Sequence, residues 1–312
     1  MHFHHIPAMP TETVEYLNCR PGKTYVDCTL GGSGHALRIF EKIQPNGVLI
    51  GIDQDLDAIN HAHRIFGTRP ATVHIVHANF VQLPDILSQL EIAAVDGILV
   101  DLGLSLHQIE ASGRGFSFRN DETLDMRMNS SSKLTASDIV NHESETSLTK
   151  IFKDYGEERW SRRIARKIIV ERGKNRIRTS GRLAAIVISA VPQDARRRQK
   201  IHPATRVFMA LRIAVNRELE HLETFLGFVA DYLNPGGRLC VLAFHSLEDR
   251  IVKRRFQTLA KGCTCPPNFP RCVCRTKPLA RVLTRKVVRP MSKEIENNPM
   301  ARSTRLRALE KI

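Results

Sequence analysis

The chain has 312 residues, of which 42% are hydrophobic and 25% charged, a globular composition long enough for two domains or for one core with a large insertion. Its formal net charge is +15 and its pI is near 9.9, which favours a polyanionic partner such as nucleic acid. No apolar run approaches the roughly 18 residues of a membrane span, and the N-terminus carries no export signal, so we expect a soluble, cytosolic protein.

The first third of the chain alternates short β-branched runs with helical patterns. Four of these runs have the composition of buried parallel strands, each followed by polar or small residues, and they lie at 25–30, 48–53, 73–77 and 98–101. The alternation predicts a doubly wound α/β sheet. Sheets of this kind bind ligands at the carboxyl ends of their strands, so the residues that follow the strands are the first candidates for a site.

A glycine-rich turn, TLGGSGH at 29–35, follows the first predicted strand. Asp53 ends the next strand about 20 residues later, at the distance from which a carboxylate accepts hydrogen bonds from ribose hydroxyls. A dinucleotide loop requires a third glycine where this chain has Leu37, so that pattern fails. With Asp27 four residues before Gly31, the turn is similar to the first motif of S-adenosylmethionine-dependent methyltransferases, and an ordinary strand-to-helix turn is the alternative.

From about residue 107 the strand pattern stops and helical periodicity begins. Trp160, Ile164 and Ile168 recur every four residues, while Arg162 and Arg166 occupy other faces of the same predicted helix. The basic residues are concentrated in clusters at 159–178, 196–200, 253–255 and 275–289. Each cluster alone is compatible with a solvated surface, but together they favour RNA or DNA as the partner.

The last third returns to a sheet. Apolar residues keep a three-to-four spacing from Val207 to Leu233, which predicts a long helix, or a broken pair of helices, ended by Asn-Pro-Gly-Gly at 234–237. Residues 238–244 have the composition of a strand, and a final strand is predicted at 304–309.

Longer motifs extend over almost the whole chain. They are HHIP at 4–7, TLGGSGH at 29–35, IDQD at 52–55, DLGLS at 101–105 with Gln108, RGFSF at 114–118, LDMRM at 124–128, YGEER at 155–159, HPATR at 202–206 and FHSLEDR at 244–250. Together they resemble the RsmH/MraW family, bacterial enzymes that methylate the N4 amine of a cytidine in the decoding region of small-subunit ribosomal RNA.

The resemblance implies a class I (Rossmann-like) methyltransferase sheet at 1–106 and 216–312, with a helical, basic insertion domain at 107–215 that binds the RNA substrate. It implies S-adenosylmethionine as cofactor. The implied partner is small-subunit ribosomal RNA or the 30S subunit, and no membrane is expected as a partner. Asp53 would take the ribose and Phe80 would lie against the adenine. The cofactor positions that it implies are Ser33, Gly34, His35, Asp53, Phe80, Asp101 and Gln108.

Methyl transfer to an amine mainly requires alignment, exclusion of water and an acceptor for the departing proton. Asp101, at the end of the fourth strand, is the first candidate for that acceptor, with a purely cofactor-positioning role as the alternative. His245, at the end of the fifth strand, is the second candidate, with a structural role as the alternative. Phe116 or Phe118 is a candidate for stacking on an extruded base, with burial in a core as the alternative.

Four cysteines lie close together, at Cys263, Cys265, Cys272 and Cys274. Four thiolates suit tetrahedral zinc, so we predict a structural metal there, with reduced thiols as the alternative. Two other functions stay open for the whole chain: a non-catalytic RNA-binding protein that keeps this fold, and a nicotinamide oxidoreductase.

Overall fold

The computed structural model describes residues 6–67, 72–199, 201–262, 265, 269–271, 274 and 277–312. The strands are β1 (Thr24–Asp27), β2 (Val48–Asp53), β3 (Val73–His77), β4 (Val95–Asp101), β5 (Leu233–Ala243), β6 (Ala280–Val282) and β7 (Arg305–Lys311). The helices are α1 (Pro10–Leu17), α2 (Gly34–Ile43), α3 (Leu56–Phe66), α4 (Leu83–Gln89), α5 (Leu106–Glu110), α6 (Ala136–His142), α7 (Glu145–Asp154), α8 (Ser161–Lys174), α9 (Ser180–Ala190), α10 (Gln193–Arg198), α11 (Thr205–Asn216), α12 (Glu218–Phe228), α13 (Ser246–Lys261) and α14 (Ser292–Asn297). Among the helices in these ranges, none has the length and apolarity to cross a bilayer.

The strands form one seven-stranded sheet in the order β3-β2-β1-β4-β5-β7-β6. The first five strands pair in parallel, and β7 is antiparallel to both β5 and β6. The chain passes from β1 outward to β2 and β3, and then returns to the other side of β1 with β4. This reversal leaves a crevice at the carboxyl ends of β1 and β4, and it confirms the predicted doubly wound α/β sheet.

The start of β5 differs from the prediction, whereas the helices before it match one of the predicted alternatives. Residues 234–237 lie inside β5 and do not end a helix. The pairing with β4 shifts there, because Val95 is opposite Leu233 while Gly97 is opposite Arg238, so the extra residues form a bulge. Of the two predicted alternatives, the broken pair of helices is confirmed, since Arg217 adopts a left-handed conformation with φ 50° and stops α11 before α12 begins.

The chain divides into two compact units, and the first comprises residues 1–103 and 219–312. It contains the sheet and buries apolar side chains on both faces. One cluster includes Leu83, Phe225 and Phe256, and the other includes Leu17 and Ile39. Because both faces are covered, the central strands are apolar along their length, which is why the strand signal in the sequence is clear.

The second unit comprises residues 104–218 and is helical. Its core includes Ile164 and Ile168, which are fully buried on α8. Arg162, Arg163 and Arg166 on the same helix are exposed. The four-residue apolar spacing therefore gave the correct buried face of this helix.

Candidate active site

Three carboxylates stand at the carboxyl ends of neighbouring strands: Asp27 ends β1, Asp53 ends β2 and Asp101 ends β4. In the parallel register Asp27 is opposite Gly51 on β2 and Leu99 on β4. Since β1 lies between the other two strands, the three acids share one edge of the sheet. This is the crevice that the sequence predicts as the binding site.

Asp53 holds the glycine-rich turn in place. Its Oδ2 accepts the N–H of Gly31 at 2.8 Å, and its Oδ1 accepts the N–H of Asp55 at 2.8 Å. Burial raises the pKa of Asp53 to about 6, and these amide hydrogen bonds oppose that rise only in part. Each carboxylate oxygen has a second lone pair, so the predicted contact with ribose hydroxyls is compatible with this role and stays a prediction.

The turn approaches the N-terminal segment closely at Ser33 and Gly34. Ser33 is fully buried in a left-handed conformation with φ 61°, which a non-glycine residue adopts at a cost. A Cβ at Gly34 would lie 2.8 Å from Cδ of Pro7, so no side chain fits there. Ser33 makes no side-chain cap to α2, which leaves the amides at the start of that helix available to an anionic group.

Buried polar atoms without partners converge at this point. They are Oδ2 of Asp27, Oγ of Ser33, both ring nitrogens of His35 and Oδ1 of Asp101, none of which has a hydrogen-bond partner among the described residues. His35 Nε2 lies 3.5 Å from Asp101 Oδ2, too far for a good hydrogen bond. An unsatisfied buried polar atom costs about 1–3 kcal/mol, so this cluster fits a polar ligand that completes it.

Asp27 is the deepest of the three acids. Its Oδ1 accepts the N–H of Thr29 at 3.1 Å, and the side chain is buried. Burial raises the pKa of Asp27 to about 7; the charge of His35 and the Thr29 amide lower it, while Asp101 adds to the rise. Sequence reasoning used the place of Asp27, four residues before Gly31, to identify the motif, but it did not include Asp27 among the site residues. Burial disfavours its ionised form, which a cation nearby would stabilise.

Phe80 follows β3 in a short 3₁₀ helix, Phe80–Gln82, and it is 9% exposed. Its ring packs edge-on against Phe225, with 5.2 Å between ring centroids. Beside it, Asn79 Nδ2 donates to Gln54 Oε1 at 3.0 Å and lies 3.3 Å from His221 Nδ1. Sequence reasoning missed this polar group, although Gln54 and Asn79 each follow a strand end. The contact of Phe80 with adenine stays a prediction.

His245 begins α13 as its N-cap. Its Nδ1 accepts the N–H of Glu248 at 3.4 Å, and Oε2 of the buried Glu248 accepts the N–H groups of Phe244 and His245 at 2.8 and 3.2 Å. His245 Nε2 lies 3.0 Å from Glu248 Oε1, but the ring N–H does not point at that oxygen, so the contact is not a hydrogen bond. These contacts favour the helix-capping role, and a catalytic role stays a prediction.

Gln108 lies in the helical unit, at the start of α5. Its Oε1 accepts the N–H of Ser105 at 2.9 Å, while its own N–H donates to Ser105 Oγ at 3.2 Å. The side chain is 7% exposed. The capping box accounts for the residue locally, and its predicted contact with the cofactor stays a prediction.

The two phenylalanines proposed for base stacking belong to the core of the helical unit. Phe116 is 8% exposed. Phe118 stacks on His202 with ring centroids 4.3 Å apart and contacts Phe208 edge-on at 5.1 Å. These contacts favour the core alternative for both rings.

The cysteine cluster is described only in part. Cys263 and Cys272 lie outside the described residues, and Cys265 and Cys274 are half-buried. Among the residues that the structure does describe, no group of three or more His, Cys, Asp or Glu side chains is arranged to hold a metal ion. The structure thus gives no support to the predicted zinc site.

Known proteins similar to this chain span its full length. A sequence model described as "MraW methylase family" matches residues 2–312. The Ribosomal RNA small subunit methyltransferase H of Desulforapulum autotrophicum is 56% identical over 312 residues, covering 100% of both chains. The protein of the same name from Desulfosudis oleivorans is 54% identical, again over 100% of both chains.

Among solved structures, TrmN from Thermus thermophilus is 12% identical, with a TM-score of 0.43 over 97% of this chain and 48% of that chain. The fold class given above follows from the strand order of the sheet and does not depend on this likeness.

Proposed function

The chain belongs to the MraW methylase family, and on that premise we propose that it transfers the methyl group of S-adenosylmethionine to the N4 amine of a cytidine in the decoding region of small-subunit ribosomal RNA. Family membership makes it an S-adenosylmethionine-dependent methyltransferase, and the base and its position are the proposal. Small-subunit ribosomal RNA as the substrate is supported by the names of relatives that match this chain from end to end. A nicotinamide oxidoreductase is therefore excluded.

The observation that carries the cofactor assignment is the cluster of unpartnered buried atoms at the ends of β1 and β4. S-adenosylmethionine, when bound, supplies a methyl group activated by a sulfonium. The start of α2 and the side chains of Ser33 and His35 would hold its amino-acid end, and Asp27 would balance its positive charge. Asp53 would accept from its ribose, and Phe80 would border its adenine.

Asp101 is the residue that we assign as proton acceptor. Its carboxylate is 13% exposed, and Oδ1 has no hydrogen-bond partner among the described residues. An acceptor of this kind can take a hydrogen bond from the N4 amine, which localises the nitrogen lone pair, and can then take the departing proton. The backbone of Asp101 is fixed by its N–H, which donates to Thr29 Oγ1 at 2.7 Å. His245 then acts as a positioning residue at the start of α13.

The helical unit is the part of the chain that we assign to RNA. Arg162 and Arg163 are exposed on α8 and form no ion pair with any described residue. Other arginines of this unit are committed to the fold: Arg127 binds Asp125 through two hydrogen bonds of 2.7 and 2.6 Å, and Arg172 donates to backbone carbonyls. Unpaired exposed arginines are the groups that contact phosphates.

The experiment that tests this function is transfer of labelled methyl groups to small-subunit RNA, offered both as naked RNA and as assembled 30S subunits. Mass spectrometry of nuclease digests then locates the product. We expect N4-methylcytidine at one position in the decoding region. Tight binding of RNA without any transfer would instead identify a non-catalytic RNA-binding protein.

Two subordinate parts of the proposal have their own tests. A cytoplasmic location, which follows from a ribosomal RNA substrate, is tested by fractionation with ribosomal subunits. A structural zinc at Cys263, Cys265, Cys272 and Cys274 is tested by metal analysis of the purified chain against a variant in which these four cysteines are changed to serine. Less than one zinc ion per chain in both would remove the metal from the proposal.

A further inference from the structure

The helical unit contains a cavity of about 380 Å³ that the proposed function does not use. Its polar lining residues are Glu158, Arg198, Gln199, His202 and Arg206. They come from the motifs YGEER and HPATR and from the end of α10. The volume falls in the range of small-molecule sites, which runs from about 300 to 1,000 Å³.

The backbone around the cavity is fixed by tight packing. Glu157 adopts a left-handed conformation with φ 47°, and its carbonyl accepts a hydrogen bond from Arg206 at 3.3 Å. A Cβ at the neighbouring Gly156 would lie 2.7 Å from the carbonyl oxygens of Arg206 and Phe152. Strained backbone of this kind persists where the surrounding structure fixes it, and it is concentrated at functional sites.

The lining offers buried acceptors together with two arginines, of which Arg198 is exposed and Arg206 half-buried. Glu158 is 3% exposed, its Oε1 accepts the N–H of Trp160 at 2.8 Å, and the carboxylate forms no ion pair within the described ranges. Gln199 Oε1 is buried and has no hydrogen-bond partner there. Arg198 is exposed. Buried acceptors require donors, so the fitting ligand carries N–H groups at one end and negative charge at the other.

His202 adds a flat surface with a defined protonation pattern. Its Nδ1 accepts the N–H of Ala204 at 3.2 Å, so the neutral ring carries its proton on Nε2. The stacked ring of Phe118 supports it. A planar side chain held in this way is suited to stack on a base.

We propose that this cavity binds one guanine nucleotide of the RNA substrate, with its phosphate at Arg198 and Arg206 and its base edge at Glu158 and Gln199. Guanine is the RNA base that presents an imino N–H and an amino group side by side, and a carboxylate accepts the two together. The cavity thus reads a nucleotide other than the reacting cytidine. The inference rests on the proposed function only in taking the ligand to be part of an RNA.

The test uses the full-length chain without S-adenosylmethionine and titrates it with GMP, CMP, AMP and UMP. Trp160 is the sole tryptophan of the chain, and its amide binds Glu158, so its fluorescence reports binding, with calorimetry as the second readout. We expect GMP to bind about tenfold more tightly than UMP. Equal binding of the four nucleotides, a preference for CMP, or no binding of GMP would overturn the proposal.

Matched variants locate the site. Arg198→Gln is expected to weaken GMP binding about fivefold, whereas Arg197→Gln, at another exposed position on the same helix outside the cavity lining, is expected to leave it unchanged. Glu158→Gln keeps an oxygen for the Trp160 amide and is expected to abolish the preference for GMP, with folding checked by circular dichroism. Equal effects of Arg197→Gln and Arg198→Gln would overturn the assignment.

The two proposals fail separately. Methyl transfer to RNA by a chain that does not bind GMP overturns the cavity assignment and leaves the function intact. Specific GMP binding by a chain that transfers no methyl group to RNA overturns the proposed function and leaves the cavity assignment intact.

Discussion

Substitution of Asp27 by asparagine should stabilise the protein without ligand and weaken its binding of S-adenosylmethionine. The side chain is buried, and burial raises its pKa from 3.8 to about 7. Asparagine has the same shape and keeps an oxygen for the Thr29 amide. The change therefore removes a buried negative charge and little else.

The magnitude follows from proton linkage. In the unfolded chain Asp27 ionises near its ordinary pKa of 3.8, whereas in the folded chain its pKa is about 7. Between these two pH values the folded state therefore binds more protons than the unfolded state. Stability conferred by the protonated group is lost as pH rises from about 4 to 7. Between pH 5 and pH 8 the advantage of Asp27→Asn over the parent should grow by about 2 to 3 kcal/mol, or about 4 to 10 °C in Tm.

The assay is thermal unfolding of both proteins at pH 5 and pH 8, without and with S-adenosylhomocysteine, together with calorimetric titration of S-adenosylmethionine. Comparing the two pH values cancels any effect of the substitution that does not depend on ionisation. We expect the dissociation constant of S-adenosylmethionine to rise about tenfold in the variant, because a buried anion near the cationic ligand is lost. An advantage that is equal at both pH values, or larger at pH 5, would refute the reasoning.

Three further substitutions test the site. Asp101→Asn should lower the single-turnover rate of methyl transfer by about 10²- to 10⁴-fold with a smaller change in the dissociation constant of S-adenosylhomocysteine; an unchanged rate would remove Asp101 as proton acceptor. Ser33→Gly should raise the free energy of unfolding by about 1 kcal/mol, since glycine adopts φ 61° without strain and no hydroxyl is left unpaired; a lower Tm by calorimetry would contradict this. His245→Asn should keep methyl transfer within about threefold, because asparagine is also a good N-cap; a hundredfold loss would return His245 to a catalytic role.

Local signals in the sequence predicted much of the fold. The runs of apolar β-branched residues gave β2 and β3 with their observed bounds, and the four-residue spacing of Ile164 and Ile168 gave the buried face of α8. The glycine turn and the acids at strand ends were also visible. These features are local because strand burial, helix periodicity and left-handed turns each depend on residues close together in the chain.

The short strand β6 was missed because three residues carry too little pattern, and the bulge in β5 was missed because only the pairing with β4 reveals it.

The sequence by itself thus determined which residues lie at the carboxyl edge of the sheet, and tertiary structure decided what each of them does there. Asp53 accepts the N–H of Gly31 in the turn and the N–H of Asp55, His245 contacts Glu248, and Phe118 stacks on His202. Asp27 and Asp101 leave oxygens unpaired in one crevice. The physical reason is that a side chain's partners are set by packing between segments distant in the chain, and hydrogen-bond satisfaction and desolvation depend on those partners and not on the residue type alone.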